Sequence, residues 1–474
     1  MFNMQGLQKT VEEIALAKAL EAGNYNVSPD HLVQGAALQR EDLSVIMQNV
    51  CYDDKSIVLQ KMIRVEPCKG QLVQFNRQLS YGIFGGSALP EGAVGVEETS
   101  EYIRDVVPMC YYAHIRRVTL AANMVEAFDG VKAEDREAAS AAMKIAGDIE
   151  FDLFRGKADF TTLGVFDGNP SFIPPLPNML GLDVQIRQSD FRAITKDSMF
   201  NSYGSNASNI IPAGTGTGGA LTQANLEDAH VRATMNHGSA DVFVLDPIAL
   251  ANYNKIALSK ERIIIAGTPN ESTGSSLKRQ WVSGGTVDMQ ASRFLSGKTA
   301  PLKTRAGAPL PPTIAAASVT IVGTTTPFII NQQYTYYVTS ENPVTGESAP
   351  SNVVTVTVAA TGDSLQVTIT PPVGSITHFN VYRTLAGAPV ATAKFVGRII
   401  NFGATPVFID LGNKIPGFST GFLVQGDTML IKELCPYSRM PLAVSDLSKP
   451  EAHFRFCTIV VPQPRKNVLI DNLV

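Results

Sequence analysis

Residues 134–157 read EDREAASAAMKIAGDIEFDLFRGK and have the periodicity of a helix. Small and aliphatic residues recur at spacings of three and four, as on one helix face; they are Ala138, Ala142, Ile145, Ile149 and Leu153. Acidic residues occupy the first turn and Gly156 follows the last one, as the helix dipole and the C-terminal signal favour. We therefore predict a long helix over 133–155 whose small-residue face lies close along a sheet.

Two strand-like segments lie upstream of this helix, IVLQKMIRV at 57–65 and MCYYAHIRRVTL at 109–120. Residues 69–107 between them contain six glycines and alternating polar and apolar positions. We interpret this excursion as a protruding two-stranded hairpin without a core of its own. Because an isolated hairpin is marginally stable in water, it needs a second surface, and a neighbouring subunit is the natural candidate.

The segments on either side give a mixed α and β pattern. Residues 8–22 predict an amphipathic helix on an N-terminal arm, with Gly23 at its end. DVFVLDPIALANYNKIAL at 241–258 predicts a strand, an Asp-Pro turn and a helix, and ERIIIAG at 261–267 predicts another buried strand. These segments predict a body of the α+β or α/β class.

After Gly307 the sequence becomes poor in charge and rich in Thr, Val and Pro. Short strands then recur between turn signals to about residue 415, and roughly 105 residues of this kind predict a β-sandwich. The tail from Gly421 has about 54 residues, which is short for an independent domain, so we expect it to complete the sheet of the first body. The sandwich is therefore predicted to be an insertion.

Composition limits the classes of function. Apolar residues make up 45% of the 474 residues and charged residues only 17%, which is low for a freely solvated monomer and indicates burial against partners. The net charge is −4, from 39 basic and 43 acidic residues, without a long run of either sign. Nothing resembles an electrostatic footprint for nucleic acid, so no sequence-specific nucleic-acid partner is expected.

The cysteines and the hydropathy pattern indicate a protein made in the cytoplasm. The cysteines are odd in number, widely spaced and without a C-x-x-C motif, which argues against a disulfide framework and a zinc ribbon; they are Cys51, Cys68, Cys110, Cys435 and Cys457. We interpret them as buried thiols. The N-terminus has no apolar signal region, and no run approaches about 18 apolar residues. We therefore expect neither a signal peptide nor a membrane partner.

The hexapeptide GTGTGG at 214–219 fits the nucleotide-binding pattern G-x-G-x-x-G. A helix-like run follows it, but the preceding FNSYGSNASNIIPA makes a poor buried strand. The motif needs that strand to place a pyrophosphate at the helix N-terminus. We interpret the segment as a flexible loop and expect no cofactor.

Other candidates for chemistry have structural interpretations. No histidine or further ligand lies near Asp148, Glu150 and Asp152 in sequence to complete a metal site. We therefore interpret these carboxylates as a solvated or intersubunit face. The histidines never occur at the spacings of a helical zinc site; they are His31, His114, His230, His237, His378 and His453. No nucleophile elbow, P-loop lysine or catalytic cysteine motif occurs, and we expect no catalytic site and no enzymatic activity.

The inserted segment resembles a fibronectin type III or bacterial immunoglobulin-like (Ig-like) module. The resemblance rests on YYVTSENPVTGESAPSNVVTVTV at 336–358, with HFNVYRT at 378–384 and VFIDLG at 407–412 as further strands. Modules of this kind occur in proteins of many functions, so the module alone assigns none.

The flanks resemble the major capsid proteins of tailed bacteriophages with the Hong Kong 97-type fold. Four segments match in order, and the order gives the resemblance its weight: GAALQREDLSVIMQNV at 35–50, SYGIFGGSALPEG at 80–92, GDIEFDLFRGK at 147–157 and LCPYSRMPLAVSDLSKPEAHFRFCTIVVPQPRKNVLI at 434–470. The resemblance covers well over half of the chain.

This resemblance implies an α+β capsid fold with an inserted all-β Ig-like sandwich. The implied parts are an N-terminal arm at 1–55, a peripheral domain at 56–179 with an extended loop at 69–107 and a spine helix at 133–155, an axial domain at 180–310, the insert at 311–417 and a return to the peripheral domain at 418–474. The implied function is a structural subunit that self-assembles into hexamers and pentamers of an icosahedral shell around viral double-stranded DNA. Assembly would take place in the host cytoplasm, and the protein would become part of the virion capsid.

The resemblance also implies partners, namely further copies of the chain, a portal and a separate scaffold protein, and it leaves open whether decoration proteins bind. In this family the extended loop lies on the adjacent subunit. Here the loop combines aromatic anchors with charges that fix register; the predicted intersubunit contacts are Arg77, Tyr81, Phe84, Glu91, Glu97, Glu98, Glu101, Tyr102 and Arg104. The family's namesake joins subunits by an isopeptide bond from a lysine of this loop, but residues 70–107 contain no lysine, so we expect a non-covalent joint.

Two alternatives remain open from sequence. An Ig-module-bearing adhesin or carbohydrate-binding surface protein would need an export signal and usually has tandem modules, and neither is visible here. A cytoplasmic enzyme with an appended module is the other alternative, because catalytic triads can assemble from distant positions.

Overall fold

The computed structural model describes residues 54–82, 87–95, 97–124, 132–156, 179–187, 209–214, 218–257, 279–296, 308–321, 328–342, 345–360, 363–376, 378–401, 405–412, 414–444 and 446–474. The chain divides into two compact units, Met1–Val50 with Val125–Lys132 and Cys51–Met124 with Ala133–Val474. The architecture below belongs to the second unit. The predicted arm helix at 8–22 and the predicted strand at 261–267 lie outside the described residues.

The described residues mix helices and strands throughout, in agreement with the α+β class. The helices are α1 Leu59–Met62, α2 Leu120–Met124, α3 Ala133–Arg155, α4 Leu182–Arg187, α5 Gln223–Met235 and α6 Pro247–Ala257. The strands are β1 Arg64–Pro67, β2 Leu72–Ser80, β3 Glu101–Pro108, β4 Cys110–Thr119, β5 Ile210–Pro212, β6 Val242–Leu245, β7 Arg279–Val282, β8 Gly285–Ala291, β9 Thr313–Ile321, β10 Gln333–Asn342, β11 Gly346–Glu347, β12 Val354–Thr357, β13 Asp363–Thr370, β14 His378–Arg383, β15 Lys394–Ile400, β16 Val407–Asp410, β17 Ser419–Val424, β18 Leu430–Pro441, β19 Ser448–Val460 and β20 Val468–Leu473.

Helix α3 has the range expected for the long helix, and its C-terminal half is buried between two sheets. One apolar core contains residues of α3, of a sheet of β1, β18, β19 and β4, and of a second sheet of β5, β20, β17, β6, β8 and β7. The contribution of α3 is Ile145, Ile149, Leu153 and Phe154, each at most 2% exposed. The helix therefore joins the two sheets.

The N-terminal half of α3 is less deeply buried. Ala138 and Ala142, which the periodicity places on the buried face, are half-buried, whereas Ala141 is fully buried. An ion pair between Glu137 and Arg116 (3.2 Å) attaches this half to the first sheet. Polar contacts thus replace apolar packing along the helix towards its N-terminus.

The first sheet has the strand order β1-β18-β19-β4 and is antiparallel except for the parallel pair β1 and β18. Alternate residues of β4 face α3; for example, the Tyr112 hydroxyl donates to the Asp152 carboxylate at 2.7 Å. The register pairs Cys110 with Cys457 and His114 with His453. We call this sheet the helix-bearing sheet.

The prediction of a strand over 57–65 is wrong for its first half. The chain forms the short helix α1 and becomes extended only at Arg64. The cause is Glu150 of α3, whose fully buried carboxylate accepts hydrogen bonds from the backbone N–H groups of Val58 (3.0 Å), Leu59 (2.6 Å) and Gln60 (3.1 Å). Helix N-terminal N–H groups lack partners within the helix, so a buried acceptor there favours a helical turn.

The second sheet has the order β5-β20-β17-β6-β8-β7 and carries α5 and α6 on one face through a separate apolar core. The predicted strand, Asp-Pro turn and helix at 241–258 correspond to β6 and α6. The tail at 418–474 contributes β18 and β19 to the helix-bearing sheet. Strands β17 and β20 lie inside the second sheet, where apolar cores on both faces bury them.

Residues 308–412 form two packed sheets, one of β16, β13 and β9 and the other of β11, β10, β14 and β15 with β12 paired to β10. They enclose one apolar core made only of residues from this segment, including Tyr336, Phe379 and Phe408. A buried ion pair between Arg383 and Asp410 lies beside this core, and the Tyr336 hydroxyl donates to Asp410. The segment is therefore a β-sandwich with its own core.

The chain enters and leaves the sandwich at opposite ends. Strand β9 begins opposite Thr370 at one end of β13, and β16 finishes opposite Leu365 near the other. At the exit, the Ile415 N–H donates to the Asn472 side-chain oxygen at 3.0 Å. Phe395 of β15 also packs against the core beside β2 and β3. The sandwich is thus in contact with the body at more than one point.

Replacing Glu150 with Ala should lower the free energy of unfolding by about 3 kcal/mol, because it leaves buried backbone donors at the start of α1 without an acceptor. Asp148→Asn is the matched control: its partner is exposed Lys144, and the expected loss is below about 0.5 kcal/mol. Urea denaturation followed by circular dichroism measures both. Equal losses in the two variants would contradict the capping role of Glu150.

Residues 308–417 expressed alone should unfold cooperatively, because every buried member of the sandwich core comes from this segment. Within this fragment, Phe379→Ala should cost about 3–5 kcal/mol through loss of a fully buried ring. Val373→Ala, at a side chain that is 94% exposed, should change the stability by less than about 0.5 kcal/mol. A fragment without dispersed amide signals in proton NMR would show that the sandwich depends on the body.

Candidate interaction surface

Strands β2 and β3 form a separate two-stranded antiparallel sheet, which we call the ribbon. The register runs from Leu72 opposite Pro108 to Ser80 opposite Glu101, with an irregularity between Gln78 and Ser80. Nine residues of β2 extend about 30 Å at the usual rise per residue. This matches the predicted protruding hairpin.

Among the described residues, an apolar core covers the ribbon only at its base. Val73 and Val107 are buried there with residues of α4 and β19; the other buried members are Met109, Leu180, Val184 and Val460. Beyond this base, the two strands have faces open to solvent. A two-stranded sheet without a covering layer gains little from burial, so the outer ribbon is stable only against something else.

The outer part of the ribbon, residues 80–101, exposes large apolar side chains. Tyr81 is 89% exposed, Val94 90% and Leu89 45%, and Tyr102 just beside it is 66% exposed. Single exposed apolar residues are ordinary, but several on one narrow projection indicate an interaction site. We call residues 80–101 the tip.

The tip is also acidic. Glu91, Glu97, Glu98 and Glu101 are all exposed, and residues 80–101 contain neither lysine nor arginine. Gly82 adopts a φ of +120°, and a Cβ there would lie 2.6 Å from the Glu98 carboxylate. Gly82 thus permits a turn that other residues rarely adopt, and it leaves room for the Glu98 side chain.

The contact residues predicted from sequence do not form one face. Tyr102 and Arg104 lie on the same side of β3, where the Arg104 Nε donates to the Asn76 side-chain oxygen at 3.0 Å. Arg77 is next to Asn76 in β2 and therefore points to the other side, where it is half-buried. Phe84 lies outside the described residues.

The glycine-rich segment at 214–219 has a structural role in its described part. Contrary to expectation a short strand, β5, does precede it, and α5 follows. However, the Gly219 N–H donates to the Asn472 carbonyl at 3.1 Å, and its own carbonyl accepts from the Val474 N–H at 3.2 Å. A Cβ at Gly218 would lie 2.8 Å from the Phe418 ring. These glycines therefore accommodate the C-terminal strand.

Asp148, Glu150 and Asp152 of α3 have separate partners. Of the three, only Asp148 forms an exposed ion pair, with Lys144 at 2.6 Å. Asp152 accepts from Tyr112, and Glu150 caps α1, so the expectation of a solvated face fails for Glu150. Within the described residues, no three His, Cys, Asp or Glu side chains are placed to hold a metal ion.

Of the cysteines, Cys110 and Cys457 are buried thiols, whereas Cys68 and Cys435 are only half-buried; Cys51 lies outside the described residues. Burial raises the pKa of Cys457 to about 12, and it raises the pKa of Cys110 further. Both thiols therefore stay protonated and unreactive at neutral pH.

Sequence spacing did not reveal a pair of histidines that the register of β4 and β19 brings together. The His114 and His453 rings are 5.9 Å apart between centroids, and His453 is 1% exposed. The His453 Nδ1 is 3.0 Å from the Tyr437 hydroxyl, and the His114 Nε2 is buried with no hydrogen-bond partner among the described residues. Only the pairing of two strands that lie more than 300 residues apart could have predicted this pair.

Burial lowers the pKa of both rings. For His114, Lys144 of α3, Arg116 and His453 lower the pKa further, and Asp148 opposes them. For His453, the Glu451 carboxylate raises the pKa again, while Arg116 and Arg439 lower it. The sheet and the helix packed on it therefore surround the two rings with more positive than negative charge.

Comparison with models of known protein families finds no match, and comparison with curated proteins finds none either. Several solved structures match nearly the whole chain at low identity. The capsid of a native GTA particle is 11% identical, with a TM-score of 0.45 over 95% of this chain and 100% of that one. The Gordonia phage Cozz structure is 9% identical, with a TM-score of 0.44 over 95% and 96%. The Mycobacterium phage Adephagia structure is 9% identical, with a TM-score of 0.42 over 94% and 98%.

None of the helices in the described part of the chain combines the length and hydropathy that a bilayer crossing requires.

Acid should destabilise the fold through the histidine pair. Because the folded pKa values lie below the unfolded value of about 6.5, the unfolded chain binds more protons, and stability falls as the pH drops below that value. Replacing both His114 and His453 with Gln should flatten the dependence of Tm on pH between about 7 and 5. His237→Asn, at an exposed residue, should leave it unchanged. A double variant as acid-sensitive as the parent protein would contradict this role.

Proposed function

We propose that the chain is the major capsid protein of a tailed bacteriophage, a structural subunit that self-assembles into a shell around double-stranded DNA. The observation that carries the proposal is the ribbon, a projection of about 30 Å. Its outer part exposes Tyr81 and Val94, and no other described element covers it. A second copy of the chain would supply that layer.

The rest of the molecule is consistent with this role. The long helix α3 packs on a sheet, and most strands of a second sheet follow α3 in the chain. The sandwich is inserted in the sequence between β8 and β17. These are the parts, in the order, that the sequence resemblance to Hong Kong 97-type capsid proteins implies. The low content of charged residues, 17%, fits extensive burial between subunits.

The finer proposal assigns names to these parts. The ribbon with its tip is the extended loop, α3 is the spine helix, the helix-bearing sheet belongs to the peripheral domain, and the second sheet belongs to the axial domain. The sandwich is an inserted Ig-like module on the outer surface, since packed genome fills the interior. Hexamers and pentamers would form the lattice, with a portal, a scaffold protein and decoration proteins as further partners.

Electron microscopy of the purified chain tests the proposal, because shells, tubes or ring-shaped capsomers are expected and uniform monomers would overturn it. Reversal of Glu97 and Glu98 to Lys should leave circular dichroism unchanged but reduce the assembled fraction at least about tenfold, equivalent to about 1.4 kcal/mol per contact. Asp228→Lys, at an exposed carboxylate of α5, is the control and should assemble normally.

The joint between subunits should be non-covalent, because residues 70–107 contain no lysine for an isopeptide bond. Particles boiled in detergent under reducing conditions should therefore run as single chains on a denaturing gel. A ladder of multimers would show that another residue forms a covalent link.

A further inference from the structure

Exposed basic side chains recur along the segment that leads through α1 and the edge strand β1 to the start of the ribbon. We call this group the basic margin: it consists of Lys55, Lys61, Arg64 and Lys69. The side chain of Arg64 is 76% exposed and that of Lys61 is 50% exposed. Strand β1, which contains Arg64, is paired only with β18 among the described strands, so it is the edge strand of the described sheet.

Local carboxylates neutralise only part of this charge. Residues 54–69 contain four basic residues but only Asp54 and Glu66 as acids. Asp54 pairs with Lys61 at 2.7 Å. Glu66 is shared between Arg64 and Lys432 of β18, which approaches to 2.5 Å. No ion pair of Lys55 or Lys69 occurs within the described residues, and the margin is net positive.

The margin also offers apolar surface. Val65 is 43% exposed on β1, and Leu72 at the start of the ribbon is 37% exposed. The tip has the complementary composition: exposed glutamates around the exposed side chains of Tyr81 and Val94. Opposite charges arranged around apolar contacts favour one register and exclude others.

The tip cannot meet the margin of its own chain. Lys69 is three residues from the start of β2, so the margin lies at the ribbon base, and the nine residues of β2 carry the tip about 30 Å away from it. The two surfaces therefore have complementary charge on one molecule but lie at opposite ends of the ribbon. A second copy of the chain can bring the two surfaces together.

We infer that the tip of one subunit docks on the basic margin of the next, through ion pairs of Glu91, Glu97 and Glu98 with Lys61, Arg64 and Lys69. The contact is heterologous, since it joins different patches of the two copies. Heterologous contacts close into rings when the rotation between neighbours allows it. The inference rests on the proposed self-assembly and adds the surface that receives the ribbon.

The test uses charge reversal on full-length protein. A tip variant carries Glu97→Lys and Glu98→Lys, and a margin variant carries Arg64→Glu and Lys69→Glu. Each alone should fold normally by circular dichroism and lose assembly at least about tenfold in light scattering. Combining all four substitutions in one chain should restore assembly to within about threefold of the parent protein. A matched control combines the tip variant with Lys255→Glu and Arg293→Glu, which are exposed elsewhere, and should restore nothing.

A mixing experiment adds an independent measurement. Equal amounts of the tip variant and the margin variant should co-assemble. The basic tip of the tip variant fits the acidic margin of the margin variant, and the acidic tip of the margin variant fits the basic margin of the tip variant. Electron microscopy should show rings in the mixture and none in either component.

The outcomes separate this inference from the proposed function. If the parent protein assembles and the tip variant does not, but the margin variant assembles normally or the four substitutions fail to restore assembly, the tip docks elsewhere and the inference is wrong. The proposed function would then still stand. If the parent protein forms no assemblies, the proposed function itself fails.

Discussion

The structure depends on how α3 buries its apolar side chains. Four residues, Ile145, Ile149, Leu153 and Phe154, lie in a core that includes both sheets, so one helix fixes the position of each sheet relative to the other. Burying side chains of this size contributes about 1.5–3 kcal/mol each, more than surface ion pairs supply. The same segment supplies Glu150, which sets the start of α1 and thereby the point where β1 begins.

The ribbon, in contrast to α3, buries few of its apolar side chains. Its strands satisfy their mutual hydrogen bonds, but within the described part of the chain apolar packing covers only their base, around Val73, Phe75 and Val107. The tip therefore exposes apolar side chains whose burial requires a second surface, and its acidic residues limit which surface is suitable. Under the proposed function, burial of these side chains against a second copy would drive assembly.

Periodicity and turn signals predicted the elements whose stability is local. The long helix over 133–155, the ribbon, the sandwich and the β6–α6 pair could all be read from the spacing of apolar residues and the turns between them. The segment IVLQKMIRV could not, because its pattern suits a strand, and the group that makes its first half helical is a carboxylate 90 or more residues away. The assignment of β17 and β20 to the second sheet and the pairing of His114 with His453 likewise depend on long-range register. Most of the exposed tip residues were predicted from the sequence. The strand pairing was needed to show on which side of the ribbon each residue lies, and to identify the basic margin.

The sandwich is held at its exit by Ile415 and Asn472 and along one edge by Phe395, while its chain arrives at the other end. A module tied down in this way cannot swivel as one on a single flexible tether does. In a lattice of identical subunits, every copy would present the same face at the same angle and a fixed spacing. Even a weak affinity of that face for a repeating target would then be multiplied, because many copies would engage at once without first losing orientational freedom.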